Sequence, residues 1–423
     1  MRLFKYMVSF TLLILCWSSI CLYGALNGWW LTALAKQGDT NHFIKAVNQR
    51  FLSEAKGNLA FIVLENGRVV SKLFSPSIDK INGETLFPVA SMSKLFTAYG
   101  ISQLAQQGQI DLDAPIAKYL TPAWQLPSSS FDHNEITMRL LLSHTSGLVD
   151  GLGFADIPKE QTLPSLLESL QQPKSSRGNA KLEIGYAPST EWQYSGGGYL
   201  IAEHIIENIT GITFEAFMAD AVFMPLKMNR ANYQFIGAQT NIANAYDSEG
   251  NKSASYQYVS PAATGLLASA DDLTQFVIAL QQRNTNSEQA IKDLSQPLGY
   301  KLGAPIWGMG AMLYAPTPEG NFIFGHDGAN EPAINSALRI NPNTNDAIIV
   351  LSSGGDHLAS RIASEWTLWQ TGVPDFLNFD SAIASAFLPI GFGILVIFVS
   401  LVLFYRKSPP LISKSSDNRV LQY

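Results

Sequence analysis

Two runs of the chain, Tyr6 to Trp30 and Ala382 to Tyr405, contain no charged residue. A helix that crosses a bilayer needs about 20 predominantly apolar residues, and both runs reach that length. Arg2 and Lys5 precede the first run, and Arg406 and Lys407 follow the second. Basic flanks favour the cytoplasmic side. The pattern therefore predicts a cytoplasmic N-terminus (1–5), a span (6–30), an exported body, a second span (382–405) and a cytoplasmic tail (406–423). A cleaved signal peptide is the alternative for the first run, with Ala33-Leu-Ala35 as a cleavage-like site. That site lies beyond Trp29 and Trp30, which read better as an interfacial anchor. The body is read as one domain over 43–372.

Within the body the apolar period changes along the chain. Phe61 to Leu64 and Val69 to Phe74 are short apolar runs around Asn66-Gly67, a strong hairpin signal. Phe322 to Phe324, Ala337 to Ile340 and Ala347 to Leu351 are also strand-like, with a turn over 341–345. Helical patterns fill the middle: Ser93 to Gln107 before Gly108, Met138 to Ser143, Tyr199 to Ile209 before Gly211, and Ala270 to Gln281. Strands at both ends with helices between predict an α+β domain. Its antiparallel sheet is closed by the two ends of the domain and flanked by helices, with a helical lobe against it.

Composition narrows the classes. Hydrophobic residues make up 47% and charged residues 15%, which excludes a disordered chain. The net charge of -6, without a basic patch, argues against a nucleic-acid partner. Both cysteines, Cys16 and Cys21, lie in the first apolar run, so the body has no disulfide framework and no cysteine nucleophile. The six histidines show no metal-ligand spacing, so a zinc site is not expected, and the chemistry read below calls for neither metal nor cofactor.

The first chemical constellation is Ser91-Met-Ser-Lys94. Residues i and i+3 share a helix face. A desolvated lysine one turn after a serine can take its proton and release an alkoxide. A helix N-terminus also favours the developing negative charge, and its N–H groups can hold an oxyanion. Ser53-Glu-Ala-Lys56 and Ser77-Ile-Asp-Lys80 fit the same spacing. Context favours Ser91, which follows Leu86 to Ala90 and opens an uncharged helix. A plain helix N-cap is the competing reading.

Glu84-Thr-Leu-Phe-Pro-Val-Ala-Ser91-Met-Ser-Lys94-Leu-Phe-Thr97 resembles the nucleophile segment of the serine β-lactamase and penicillin-binding-protein superfamily, in its class C-like branch. Gln109 to Pro115, Ile136 to Leu148 with its Ser143-His-Thr-Ser-Gly147, and Ser260 to Leu273 resemble later segments. The resemblance runs from about Asn58 to about Ser353 and implies a β-lactamase/transpeptidase-like fold. It makes Ser91 the nucleophile and Lys94 its base. The branch holds carboxypeptidases, D-amino-acid peptidases and esterases.

The resemblance also assigns two further constellations. In Tyr194-Ser-Gly196 the tyrosine matches the proton shuttle, which requires nearby cations such as Lys94 to lower its pKa. A buried core tyrosine is the alternative. Gly196 stands where relatives carry an asparagine that binds substrate, leaving only backbone there. Gly325-His326-Asp-Gly328 matches the Lys-Thr-Gly segment in its His-x-Gly form. Gly328 would let the strand approach substrate, and the Ala329 N–H would pair with that of Ser91 as the oxyanion donors. His326, with an ordinary pKa near 6.5, would assist Tyr194 and bind a carboxylate on acidification; a structural histidine is the alternative. His144 is read as structural, with Gly147 as the helix cap.

Two function classes follow. The leading one is a serine hydrolase in the cell (inner) membrane, its catalytic domain periplasmic or extracellular. It would act on a small-molecule or peptide substrate, cell-wall fragments included. The other is a catalytically silent binding or regulatory protein with the same fold.

Overall fold

Asn66 and Gly67 both take left-handed backbone angles, φ 48° and 73°. This is the geometry a two-residue hairpin turn requires. They join strand β1 (Asn58–Glu65) to β2 (Arg68–Phe74). The computed structural model describes residues 2–75, 79–150, 156–158, 161–172, 174–175, 178–179, 181–233, 241–254, 256–282, 284–330, 333–355 and 357–407. Ser77 and Ile78 of the Ser77 motif lie outside the described residues.

The chain divides into two units. One holds helices α1 (Arg2–Leu26) and, at the other end of the chain, α9 (Phe379–Lys407). Their segments Tyr6–Leu26 and Phe379–Phe404 are long and apolar enough to cross a membrane. Trp17 Nε1 donates to the Pro389 carbonyl at 2.9 Å. Cys21, Ala25, Ala382 and Ala386 are buried. The first helix stops at Leu26, earlier than the uncharged run. Gly28 turns the chain at φ 76°, and Trp30 Nε1 reaches back to the Cys21 carbonyl at 2.8 Å. Trp29 and Trp30 thus fold against the helix rather than extending it.

The second unit, Ala33–Asn378, is the α+β body. Its eight-stranded antiparallel sheet adds β3 (Gly299–Lys301), β4 (Ala304–Trp307), β5 (Met312–Pro316), β6 (Phe322–Asn330), β7 (Ile334–Asn341) and β8 (Asp346–Ser353). The order is β2-β1-β8-β7-β6-β5-β4-β3. The pairing of β1 with β8, from Asn58↔Ser353 to Leu64↔Ala347, closes the two ends of the domain on each other.

Both faces of this sheet are covered, which is why β1 reads as a continuous apolar run rather than an alternation. Leu59, Phe61 and Val63 pack with helices α2 (Thr40–Phe51) and α8 (Leu358–Thr371), where Phe43 stacks on Trp369 at 4.7 Å. Ala60, Ile62 and Leu64 pack into the helical lobe with Leu95, Phe96 and Phe276. The lobe contains α3 (Ser93–Gln106), α4 (Met138–Leu142), α5 (Gly197–Thr210), α6 (Pro261–Thr264) and α7 (Ala270–Leu280). Gly211 caps α5 in the left-handed region, φ 72°.

Two differences from the sequence reading bear on the site. Strand β6 runs to Asn330, so Gly325 to Gly328 lie inside the strand rather than after it. It outruns β5, with which it pairs only up to Gly325. After α4 the left-handed position is taken by His144, φ 60°, instead of Gly147. Gly147 makes the next turn, where a Cβ would stand 2.2 Å from the Tyr186 carbonyl oxygen.

Candidate active site

Ser91 sits in a single 3-10 turn, Ala90–Met92, immediately ahead of α3. Ala90 is left-handed, φ 49°, a strained angle for a residue with a side chain. Surrounding bonds hold it there: Ser93 Oγ donates to the Ala90 carbonyl at 2.7 Å, and Val89 N donates to Leu266 O at 3.0 Å. Ser91 is partly exposed, while Lys94 is 0% exposed in the first turn of α3.

Lys94 Nζ lies 3.5 Å from Ser91 Oγ and donates to the Ala263 carbonyl at 3.0 Å. The α6 turn that offers this carbonyl is fixed by two more bonds. Thr97 Oγ1 donates to Ala262 O at 2.8 Å, and Ala262 N donates to Glu203 Oε2 at 3.1 Å. Burial pulls the Lys94 ammonium from 10.5 down to about 7, against a smaller opposing pull from Asp150. The lysine is therefore poised to exchange a proton near neutrality.

Tyr194 donates its hydroxyl to Ser91 Oγ at 3.1 Å. Its ring centroid lies 4.9 Å from Lys94 Nζ. Here the structure departs from the sequence reading. Burial raises the phenol above its ordinary value, the Ser91 hydrogen bond lowers it less, and Asp150 raises it further. The tyrosine is a neutral hydrogen-bond donor, and the group brought near neutrality is the lysine.

His326 faces the lobe from β6 and is fully buried. Its Nδ1 lies 2.5 Å from the Asp327 carbonyl. A carbonyl only accepts, so Nδ1 carries the proton and Nε2 the lone pair. Burial first, then the nearby Lys94, hold the imidazole down to about 3 rather than near 6.5. Trp307 packs edge-on against it at 5.3 Å. On the other face of the strand, Asp327 pairs with Arg339, which also donates to Asp375 at 3.2 Å. This buried charge cluster anchors the strand from behind.

Gly196 is the N-cap of α5 and is buried. Its N–H donates to Asp150 Oδ1 at 3.2 Å, so this backbone is engaged inside the protein and does not face substrate, contrary to the sequence reading. Gly328 approaches the Val89 carbonyl rather than an open cleft. Ala329 is exposed on the stretch of β6 that outruns β5. Ser53 and Lys56 are both exposed and form no such cluster. Among the described residues no group of three His, Cys, Asp or Glu side chains could hold a metal.

Sequence reasoning missed Asp150 and the Ala263 carbonyl. Both act through contacts remote in the sequence, and neither residue type marks itself.

Comparison with known proteins agrees with this architecture. The sequence model of the family described as Beta-lactamase matches residues 44–371. Penicillin-binding protein 4* of Bacillus subtilis (strain 168) is 32% identical over 149 residues, 34% of this chain and 30% of that protein. Protein flp of Staphylococcus aureus (strain COL) is 25% identical over 312 residues, 70% of this chain and 59% of that protein. The chain thus spans well under two thirds of either relative. In fold, it is similar to the octameric penicillin-binding protein homologue from Pyrococcus abyssi: TM-score 0.61, 20% identity, 78% of this chain and 76% of that one. A beta-lactamase/D-alanine carboxypeptidase from Pseudomonas syringae gives 0.62 at 17% identity, covering 77% and 97%. Because the family match takes in both ends of the closed sheet and the whole helical lobe, the chain belongs to the beta-lactamase family, within the serine β-lactamase and penicillin-binding-protein superfamily.

Proposed function

We propose that the chain is a membrane-anchored serine hydrolase working through an acyl-enzyme on Ser91. One observation carries the reading: a partly exposed serine hydroxyl accepts from Tyr194 at 3.1 Å and lies 3.5 Å from a fully buried lysine whose pKa is about 7. In its neutral form Lys94 takes the Ser91 proton as Oγ bonds to the substrate carbonyl carbon. The N–H groups of Ser91 and Ala329 hold the oxyanion. The leaving amine or alcohol departs with a proton delivered through Tyr194 and Lys94. Water then attacks the ester with the same groups as base, releasing the acid and restoring the serine. These steps use the protein's own side chains, its backbone N–H groups and water.

The substrate class is a small peptide, amide or ester. Two structural neighbours support a D-amino-acid peptide of the cell wall as one such substrate. They are the Pseudomonas syringae beta-lactamase/D-alanine carboxypeptidase and a D-stereospecific amidohydrolase from Streptomyces, TM-score 0.55 at 21% identity. His326 in place of a lysine favours substrates without a carboxylate, and Gly196 in place of an asparagine favours substrates without an acylamino side chain. The two apolar helices support a body anchored in the cell membrane and facing the periplasm or exterior.

The test is covalent labelling. A fluorophosphonate should label the full-length chain in detergent and fail to label Ser91→Ala. An unlabelled wild-type chain would overturn the acyl-enzyme and favour the silent binding protein.

A further inference from the structure

His144 holds the peptide groups on both sides of Tyr194. Its carbonyl accepts from Gln193 N at 2.9 Å, and its ring Nδ1 accepts from Ser195 N at 3.1 Å. The left-handed angle of His144 turns carbonyl and ring toward the same segment. The imidazole also packs against the Tyr194 ring, centroids 4.4 Å apart. Asp150, six residues on, holds the next stretch. Ser195 Oγ donates to its Oδ2, and Gly196 N and Gly197 N donate to its two oxygens at 3.2 Å each. Ser195 Oγ in turn accepts from Gly198 N at 2.9 Å.

We propose that His144, with Asp150, is the positioning element of Tyr194: a clamp that fixes the phenol on Ser91 without touching substrate. It rests on the reading of Ser91 as nucleophile. The chemistry of the clamp is specific. Because Nδ1 accepts an N–H, it must be unprotonated, so the ring proton sits on Nε2. A protonated ring would present a donor to a donor and release Ser195. The groups that face His144 are Lys94 from α3, His326 from β6, Tyr199 from α5, Trp307 from β4, and Trp192 and Tyr194 from the clamped segment. Burial, then Lys94 and His326, keep the imidazole well below its ordinary value, so the clamp stays closed at neutral pH. Asp150 also tempers the burial of Lys94, which ties clamp and base together.

The function of such a clamp is geometric. A misplacement of about 1 Å at a reacting group costs on the order of 10²-fold in rate. The two variants that separate clamp from backbone are His144→Gly and His144→Asn. Both tolerate the left-handed angle, but only asparagine keeps an acceptor near the position of Nδ1. Each is assayed as the full-length chain with an aryl ester, together with a thermal melt. The expected result for His144→Gly is a kcat lower by roughly 10²-fold with KM nearly unchanged. His144→Asn should recover most of it. In both, the rising limb of the pH profile should stay near the Lys94 value, because the defect is in placement and not in the base.

Should His144→Gly fail to fold, Asp150→Asn carries the test through the same split of kcat from KM, read on the alkaline plateau because losing the Asp150 charge also lowers the Lys94 value. Full kcat in folded His144→Gly or Asp150→Asn, with wild type active, would overturn the clamp alone. So would an equal loss in His144→Asn and His144→Gly. An inert wild-type chain would overturn the nucleophile reading and the clamp with it.

Discussion

A Cβ at position 328 would stand 1.9 Å from the Val89 carbonyl oxygen. The same oxygen accepts Ser336 Oγ at 2.8 Å. Strand β6 and its neighbour β7 are thus seated directly on the turn that carries Ser91. The glycine of the His-x-Gly segment is required by the protein's own Ser91 turn before any substrate arrives.

Gly328→Ala tests this. Overpacking of this kind costs about 1–3 kcal/mol and moves backbone. The methyl would push β6 off Val89 and shift the Ser91 turn, so ester hydrolysis should fall by roughly 10²-fold while the melting temperature drops by several degrees. Full activity with an unchanged melt would show that the approach relaxes without consequence.

In the proposed mechanism Lys94 links catalysis to stability. A lysine whose native pKa lies below its unfolded value destabilises the fold while it is charged. The unfolded chain holds its proton up to about 10.5 and the native chain only to about 7. Stability from this group therefore rises as pH increases between those values and is lowest below about 7. The ceiling of the effect is roughly 4–5 kcal/mol, and losing the hydrogen bond to Ala263 offsets ~1 kcal/mol of it. Lys94→Met should abolish hydrolysis yet melt higher than wild type at pH 6. The gap should narrow toward pH 9.5. In the wild type, kcat/KM should rise through about pH 7 as the neutral amine forms. A variant less stable than wild type at pH 6 would refute the buried-charge account.

The legible parts of this fold obey local rules. Asn66-Gly67 makes its turn and Gly211 its cap because backbone angle alone decides them. The Ser-x-x-Lys spacing is different, since three matches look alike in the sequence. Burial separates Lys94 from Lys56, and burial is conferred by α6 and the sheet from far along the chain. His144 and Ser195 lie 51 positions apart, so no window of sequence shows their bond. Helix α8 escapes a sequence reading because its apolar face, with Trp366 and Trp369, is matched only by the sheet and α2. The expectation that Tyr194 would be acidified counted only the nearby lysine charge, and the expectation that His326 would titrate near neutrality used the reference value. The structure buries His326 fully and Tyr194 in part, and desolvation is the largest influence on both.

Topology has its own test. The proposed topology follows the basic flanks, which favour a cytoplasmic location for both ends of the chain and an exported body. Reporter fusions after residue 40 and after residue 375 should read as exported, and a fusion at Tyr423 as cytoplasmic. An exported signal at Tyr423 would remove one of the two spans.

The last prediction concerns charge in the substrate. A lysine in the place of His326 would pair with a substrate carboxylate, and a charge-assisted hydrogen bond contributes roughly 1.5–3 kcal/mol. At ~1.4 kcal/mol per decade, its loss costs about one to two orders of magnitude in kcat/KM toward acids. His326 does not regain that charge on mild acidification. A histidine held at about 3 stays neutral throughout pH 5 to 8, and its Nε2 offers a lone pair that repels a carboxylate. A matched acid and methyl ester should therefore show preference for the ester, with a ratio flat across that range. β-Lactam turnover, which needs the same grip, should be feeble. A ratio swinging toward the acid between pH 7 and pH 5 would mean that His326 titrates in solution and is less buried than its 0% exposure states. A preference for the acid at pH 8 would require another cation to hold the carboxylate.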